Sequence, residues 1–139
     1  MISFIYGSES SMKIRTASNS IRLRLRKSEL DTLRETESIS ESLTFSNRAM
    51  LKTTLFINHK VTKPEVILKD NAILVGLPPQ IALDWINSDQ VGIERNIQVS
   101  EDADLHLIIE KDFPCLDRPN EDKSDTFWEL AAEKDANSC

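Results

Sequence analysis

Asn19-Ser20-Ile21-Arg22-Leu23-Arg24-Leu25 and, some fifty residues on, Asn71-Ala72-Ile73-Leu74-Val75-Gly76-Leu77 state one plan twice. In each, an Asn opens a run whose apolar residues fall at every second position: Ile21, Leu23 and Leu25, then Ile73, Val75 and Leu77. That period is the mark of a half-buried strand. Each run follows a shorter strand, Lys13-Ile14-Arg15 or Val66-Ile67-Leu68, and each passes straight into a helix start. A repeat of about 50 residues decides the fold class before any other feature.

Outward from the first run, Ala17-Ser18-Asn19-Ser20 supplies the turn residues of a β-hairpin. After it, Ser28 offers a helix N-cap, with Glu29 in the first turn, and Leu30 and Leu33 give a short buried stripe of about two turns. Strands follow around Ile39 to Phe45 and through Leu51, Thr53, Leu55 and Ile57, joined by Ser46-Asn47-Arg48. Asn58 to Pro64 reads as a polar connector between the halves.

The second half repeats the order. Lys69-Asp70-Asn71 turns the chain, and Pro78-Pro79 opens a helix where a missing N–H does no harm. Ile81, Trp85 and Ile86 form its stripe, and Asn87-Ser88-Asp89 ends it. Val91, Ile93, Ile97 and Val99 alternate with polar residues; Ser100 to Asp104 turns; Leu105, Leu107 and Ile109 close the repeat. Each half is strand, strand, short helix, strand, strand. Neither buries its apolar face alone, so the two are expected to share one core.

The expected fold is therefore mainly β with two short helices (α+β). Its two fused halves, 12–58 and 64–113, would form a single domain and close into one swapped-hairpin-like barrel. Residues 1–11 read as an N-terminal extension, since Met12-Lys13-Ile14-Arg15 is itself a sensible beginning, and 114–139 as an acidic, disordered tail.

Composition bounds the class. The 139 residues are 40% hydrophobic and 29% charged, the balance of a soluble globular chain. No apolar run approaches the ~20 residues of a membrane helix, and the opening Met1 to Tyr6 lacks the form of a signal peptide, so the expected location is cytoplasmic. Cys115 and Cys139 belong to no CxxC pattern, and His59 and His106 have no partner at ligand spacing; no metal site and no cofactor is expected. Asp102, Asp104, Glu121, Asp122 and Asp125 match no calcium loop. There is no nucleophile motif and no glycine-rich phosphate loop, and the expectation is a non-enzymatic protein.

Charge is more telling than its sum of −6. Lys13, Arg15, Arg22, Arg24, Arg26, Lys27 and Arg34 crowd the first hairpin and helix, while acids dominate from residue 100 onward. On the second strand Arg22, Arg24 and Arg26 point opposite to Ile21, Leu23 and Leu25, giving one core face and one cationic face. Such a strip suits phosphates, since a two-stranded ribbon fits the major groove and guanidiniums bind phosphate bidentately. The plainer reading is a solvated sheet face whose charges block edge aggregation. It has weight, because a twofold DNA reader presents two equivalent basic surfaces and the second half is not basic.

The second half resembles the AbrB/MazE-like swapped-hairpin family on three features. Leu77-Pro78 stands at its Ile-Pro position, Ser88-Asp89-Gln90-Val91-Gly92-Ile93 resembles its Gly-Asp-x-Val-x-Ile segment, and Leu105 to Ile109 fits its closing strand. In the first half Asn19-Ser20 matches the hairpin turn and Arg24-Leu25 the residues before the proline, which Arg26 replaces. The whole chain also resembles a group of small uncharacterised bacterial proteins that begin Met-Lys-Ile-Arg and carry Ile-Glu-Lys-Asp-Phe, here Ile109 to Phe113.

The resemblance implies that one chain holds the two modules that family members assemble as a homodimer, giving a monomeric pseudo-dimer or a loose homodimer. It also implies transcription regulation through DNA binding, carried over to Lys13, Arg15, Asn19, Ser20 and Arg24 and joined on the same strip by Arg22 and Arg26. The acidic tail, with Phe127, Trp128 and Leu130 as anchors, would meet a toxin or another protein, as MazE-like antitoxins do. The alternative is a protein-interaction module that does not bind DNA.

Overall fold

The computed structural model describes residues 12–112. The order is β1 (Lys13–Ala17), β2 (Ser20–Leu25), α1 (Lys27–Thr36), β3 (Ser38–Thr44) and β4 (Met50–Ile57), then β5 (Glu65–Lys69), β6 (Ala72–Leu77), α2 (Pro79–Ile86), β7 (Gly92–Ser100) and β8 (Ala103–Lys111). The period-2 reading thus corresponds to strands in both halves. The expected extension and tail, and with them Phe127, Trp128 and Leu130, lie outside the described residues.

Both repeat-opening turns are built alike. Ser18 and Asn19 have φ of 50° and 58°, and Asp70 and Asn71 have 51° and 62°. Two successive left-handed residues match the right-handed twist of the strands they join, and Asn and Asp tolerate that region better than most side chains. Asn19 does more: its Nδ2 donates to the Asp104 carbonyl at 2.8 Å, tying the first turn to the opposite half.

The eight strands form two sheets of four, ordered β1-β2-β8-β7 and β3-β4-β6-β5. Each half contributes one hairpin to each sheet, and the inner strands pair parallel, Leu23 opposite Ile109 and Leu55 opposite Val75. The same backbone bonds recur at the two junctions. Asn58 N–H donates to Leu77 O and Asp112 N–H to Leu25 O, both at 2.8 Å; Ile57 N–H donates to Glu37 O and Lys111 N–H to Val91 O, both at 3.0 Å.

The expected closed barrel is not what forms. The chain crosses from one sheet to the other through α1 and α2, so no strand is shared between sheets, and β1, β7, β3 and β5 remain edges.

The core is common to both halves. Leu23, Leu25, Leu107 and Ile109 from one sheet and Leu55, Val75 and Leu77 from the other are fully buried, in one cluster with Leu33 of α1 and Trp85 of α2. Burying each such side chain stabilises by roughly 1.5–3 kcal/mol. Trp85 keeps its indole N–H satisfied on the Val91 carbonyl at 3.1 Å, as a buried donor must.

The α1 cap lies two residues before the expected Ser28. Strand β2 runs to Leu25, Arg26 is the extended N-cap, and Glu29 reaches back so that its Oε1 accepts the Arg26 N–H at 2.7 Å. The helix has 10 residues, a turn longer than expected. In α2 the stripe is Ala82, Trp85 and Ile86, with Ile81 only half-buried. Val91 and Val99, placed by alternation with the apolar set, are exposed.

Candidate functional site

Strand β2 is an inner strand, and this sets the fate of the arginine strip. On the outer face of its sheet the register places Lys13 beside Arg24 and Arg15 beside Arg22. On the other side, parallel β8 places Ile108 beside Arg22 and Glu110 beside Arg24. Arg24 Nε donates to Glu110 Oε1 at 2.7 Å, and Arg22 Nε lies 3.6 Å from the same oxygen. One carboxylate thus faces two guanidiniums, with all three side chains largely shielded from solvent. Lys13 Nζ meets Asp112 Oδ2 at 3.2 Å.

The other strip residues have separate tasks. Ser20 Oγ donates to the Ala17 carbonyl at 2.6 Å, within its own turn. Arg26, expected on the strip, lies past the end of β2 and is the N-cap residue of α1 instead. Arg15 is exposed and has no ion-pair partner among the described residues. The sequence thus brings Lys13, Arg15, Arg22 and Arg24 onto one face, but it brings Glu110 and Asp112 there as well.

The equivalent face of the second sheet is of another kind. Where Arg24 stands beside Glu110, that sheet has Gly76 beside Phe56; where Arg22 stands beside Ile108, it has Leu74 beside Thr54. The Phe56 ring lies across Gly76 so closely that a Cβ there would come within 3.1 Å of Cζ. Beyond it, Ser40 and Thr54 join hydroxyls at 2.8 Å.

Three features escape sequence reasoning. At the β3–β4 tip Leu43, Phe45 and Met50 are about half exposed, at 58%, 52% and 48%. An open cleft of about 850 Å³ lies between the 60–65 connector and β7, edged by Lys60, Lys63 and Arg95. Glu29 is buried, with Oε2 lacking a hydrogen-bond partner. Burial holds its carboxyl above the ordinary carboxylate value, opposed by the Arg26 N–H bond and aided by the charges of Glu41 and Asp112. The connector lysines were visible in the sequence, but only tertiary structure sets them against Arg95.

No group of three or more His, Cys, Asp or Glu suited to a metal ion occurs among the described residues, and none of the helices there is long and apolar enough to cross a membrane.

No curated protein and no solved structure matches the chain. A family model, described as a family of unknown function (DUF7009), matches residues 12–130, beginning at the Met12 that opens the fold and continuing past the last described strand. The chain belongs to that family.

Proposed function

We propose that this chain is a non-enzymatic protein-interaction module, a single-chain form of the swapped-hairpin plan in which the DNA-gripping face has been neutralised. The observation that carries the reading is Glu110 standing between Arg22 and Arg24. A phosphate would have to displace a carboxylate already held by a charge-assisted bond, and that exchange gains little. The second sheet, with Leu74 and Gly76 at the matching positions, offers no duplicate cationic surface.

The contact surface in this reading is the β3–β4 tip, where Leu43, Phe45 and Met50 expose apolar side chains on a projecting hairpin. The reading keeps the expected regulatory role, with a protein rather than a duplex as the direct partner.

A second reading, duplex binding through the first hairpin, is favoured by one observation: Arg15 is exposed and unpaired beside Arg22, whose buried Nε has no hydrogen-bond partner.

Fluorescence anisotropy with a labelled random duplex at low salt separates the two. The expected result is no binding by the intact chain. Binding that weakens steeply with salt, and disappears in Arg22→Ser/Arg24→Ser, overturns the interaction reading in favour of DNA. The positive arm is a partner held by the intact chain and lost on Leu43→Ser/Phe45→Ser, with the circular dichroism unchanged.

A further inference from the structure

The two halves differ in charge at equivalent positions. In the second half Ile81, the fourth residue after Leu77, and Arg95, opposite Leu107, line the cleft with Lys60 and Lys63. In the first half the fourth residue after Leu25 is Glu29, and Glu41, opposite Thr53, stands where Arg95 stands. Those first-half positions thus carry acids where the second half has Ile81 and Arg95. The second-half cleft is predominantly basic, with Glu65 the one acid in its lining, and Lys60, Lys63 and Arg95 have no ion-pair partner among the described residues.

We propose that the basic cleft is the docking site of this chain's own acidic segment, residues 117–130. The chemistry of the two is complementary. The segment carries Asp117, Glu121, Asp122, Asp125 and Glu129 against Arg118 and Lys123, with Phe127, Trp128 and Leu130 among its acids. The cleft offers three cations against the single acid Glu65, and its lining includes Ile81 and Ile97. Aromatic side chains next to carboxylates suit a surface of that make-up, since the rings bury apolar area while the acids stay at the charged margin.

The segment reaches it. The body ends where Lys111 and Asp112 bond to Val91 and Leu25, beside the start of β7. From Gly92 to the cleft's stretch of β7 is about 10–20 Å at roughly 3.3 Å per residue, and the roughly 16 residues from Asp112 to Trp128 span up to about 50 Å. The family model that matches the fold continues through the segment, to residue 130. The proposal is independent of whether the first hairpin binds DNA.

Zero-length carbodiimide cross-linking of the full chain, read by mass spectrometry, tests it. Equal amounts of light and heavy-isotope chain are mixed before the reaction. The expected result is that Lys60 and Lys63 join to acids within 117–130 in bonds between peptides of the same isotope. Their yield should exceed that at Lys27, Lys52 or Lys69 at least fivefold and fall by at least half when salt rises from 0.05 to 0.5 M, since ionic attraction is screened. Arg95→Glu should reduce it at least threefold. Because Arg95 lies in a strand, Lys63→Glu, in the connector, is paired with it and should reduce the Lys60 yield similarly. No Lys60 or Lys63 product, an even spread over all lysines, mixed-isotope products amounting to about half of the total as pairing between chains requires, or a yield indifferent to both variants overturns the proposal.

Discussion

Arg24 and Glu110 face each other across the parallel β2–β8 pair at 2.7 Å, at the position where the second sheet sets Gly76 against Phe56. The same backbone site has become a charged clasp in one sheet and a ring over a bare backbone in the other. Replacing the acid tests the clasp. Glu110→Gln should lower stability by about 1–2 kcal/mol, the scale of one charge-assisted hydrogen bond, and confer measurable binding to a duplex at low salt, which the parent is expected to lack. Urea unfolding and anisotropy measure the two. An unchanged affinity would mean that Glu110 is not what masks the arginines.

The two strand glycines with close neighbours should respond unequally to a methyl group. At Gly76 a Cβ meets the Phe56 ring at 3.1 Å, and a ring edge can yield. At Gly92 it lies 2.7 Å from the Ile109 carbonyl oxygen, which is backbone in an inner strand. Gly76→Ala is expected to cost under about 1 kcal/mol and Gly92→Ala about 2–3 kcal/mol, within the usual range for overpacking. Denaturant midpoints of the two variants, compared at equal slope, decide it.

Glu29 makes stability depend on pH in a definite direction. Its carboxyl is held above the ordinary value by burial first of all, so the native state keeps a proton that the unfolded chain releases. Stability therefore declines as pH rises from the unfolded pKa, about 4.5, to the folded one, and stays lower above it. Glu29→Gln keeps an oxygen for the Arg26 N–H without the charge. It should be more stable than the parent at pH 7, with the gap closing toward pH 4. A gap independent of pH would assign the effect to packing instead.

A fragment of residues 12–58 should not fold as a monomer. It contains β1–β2 and β3–β4, but each sheet's second hairpin comes from the other half. Its core would lose Trp85, Leu107 and Ile109 together. Sedimentation with circular dichroism is the check, and a folded monomer would refute the shared core.

Much of this architecture could be read in the residues, because half-buried strands write their exposure directly into a period of two. Leu23, Leu25, Val75 and Leu77 are buried as their spacing implies. Turn residues were equally plain, since Asn71 and Asn19 stand where the backbone must turn left-handed. The α1 cap was misplaced because Ser28 is the better cap by type, while the length of β2 and the reach of Glu29 decided for Arg26. What no local pattern reveals is which inner strand lies beside which. Arg22 and Arg24 looked like a free cationic face because Glu110, their neighbour in space, is remote in sequence. The charged cleft was hidden for the same reason: its lysines and Arg95 come from separate stretches.

The exchange of hairpins also sets a schedule. Leu55 meets Val75 roughly twenty residues later, whereas Ile21 must wait for Leu107, near the end of the fold. Contacts that close short loops form before those that close long ones. On a growing chain the earliest hairpin is thus the last to be paired: β1–β2 emerges first and remains without its neighbour until β8 arrives, by which time every strand of the other sheet has been made. The arginines of β2 spend that interval without Glu110, exposed to any polyanion near the site of synthesis.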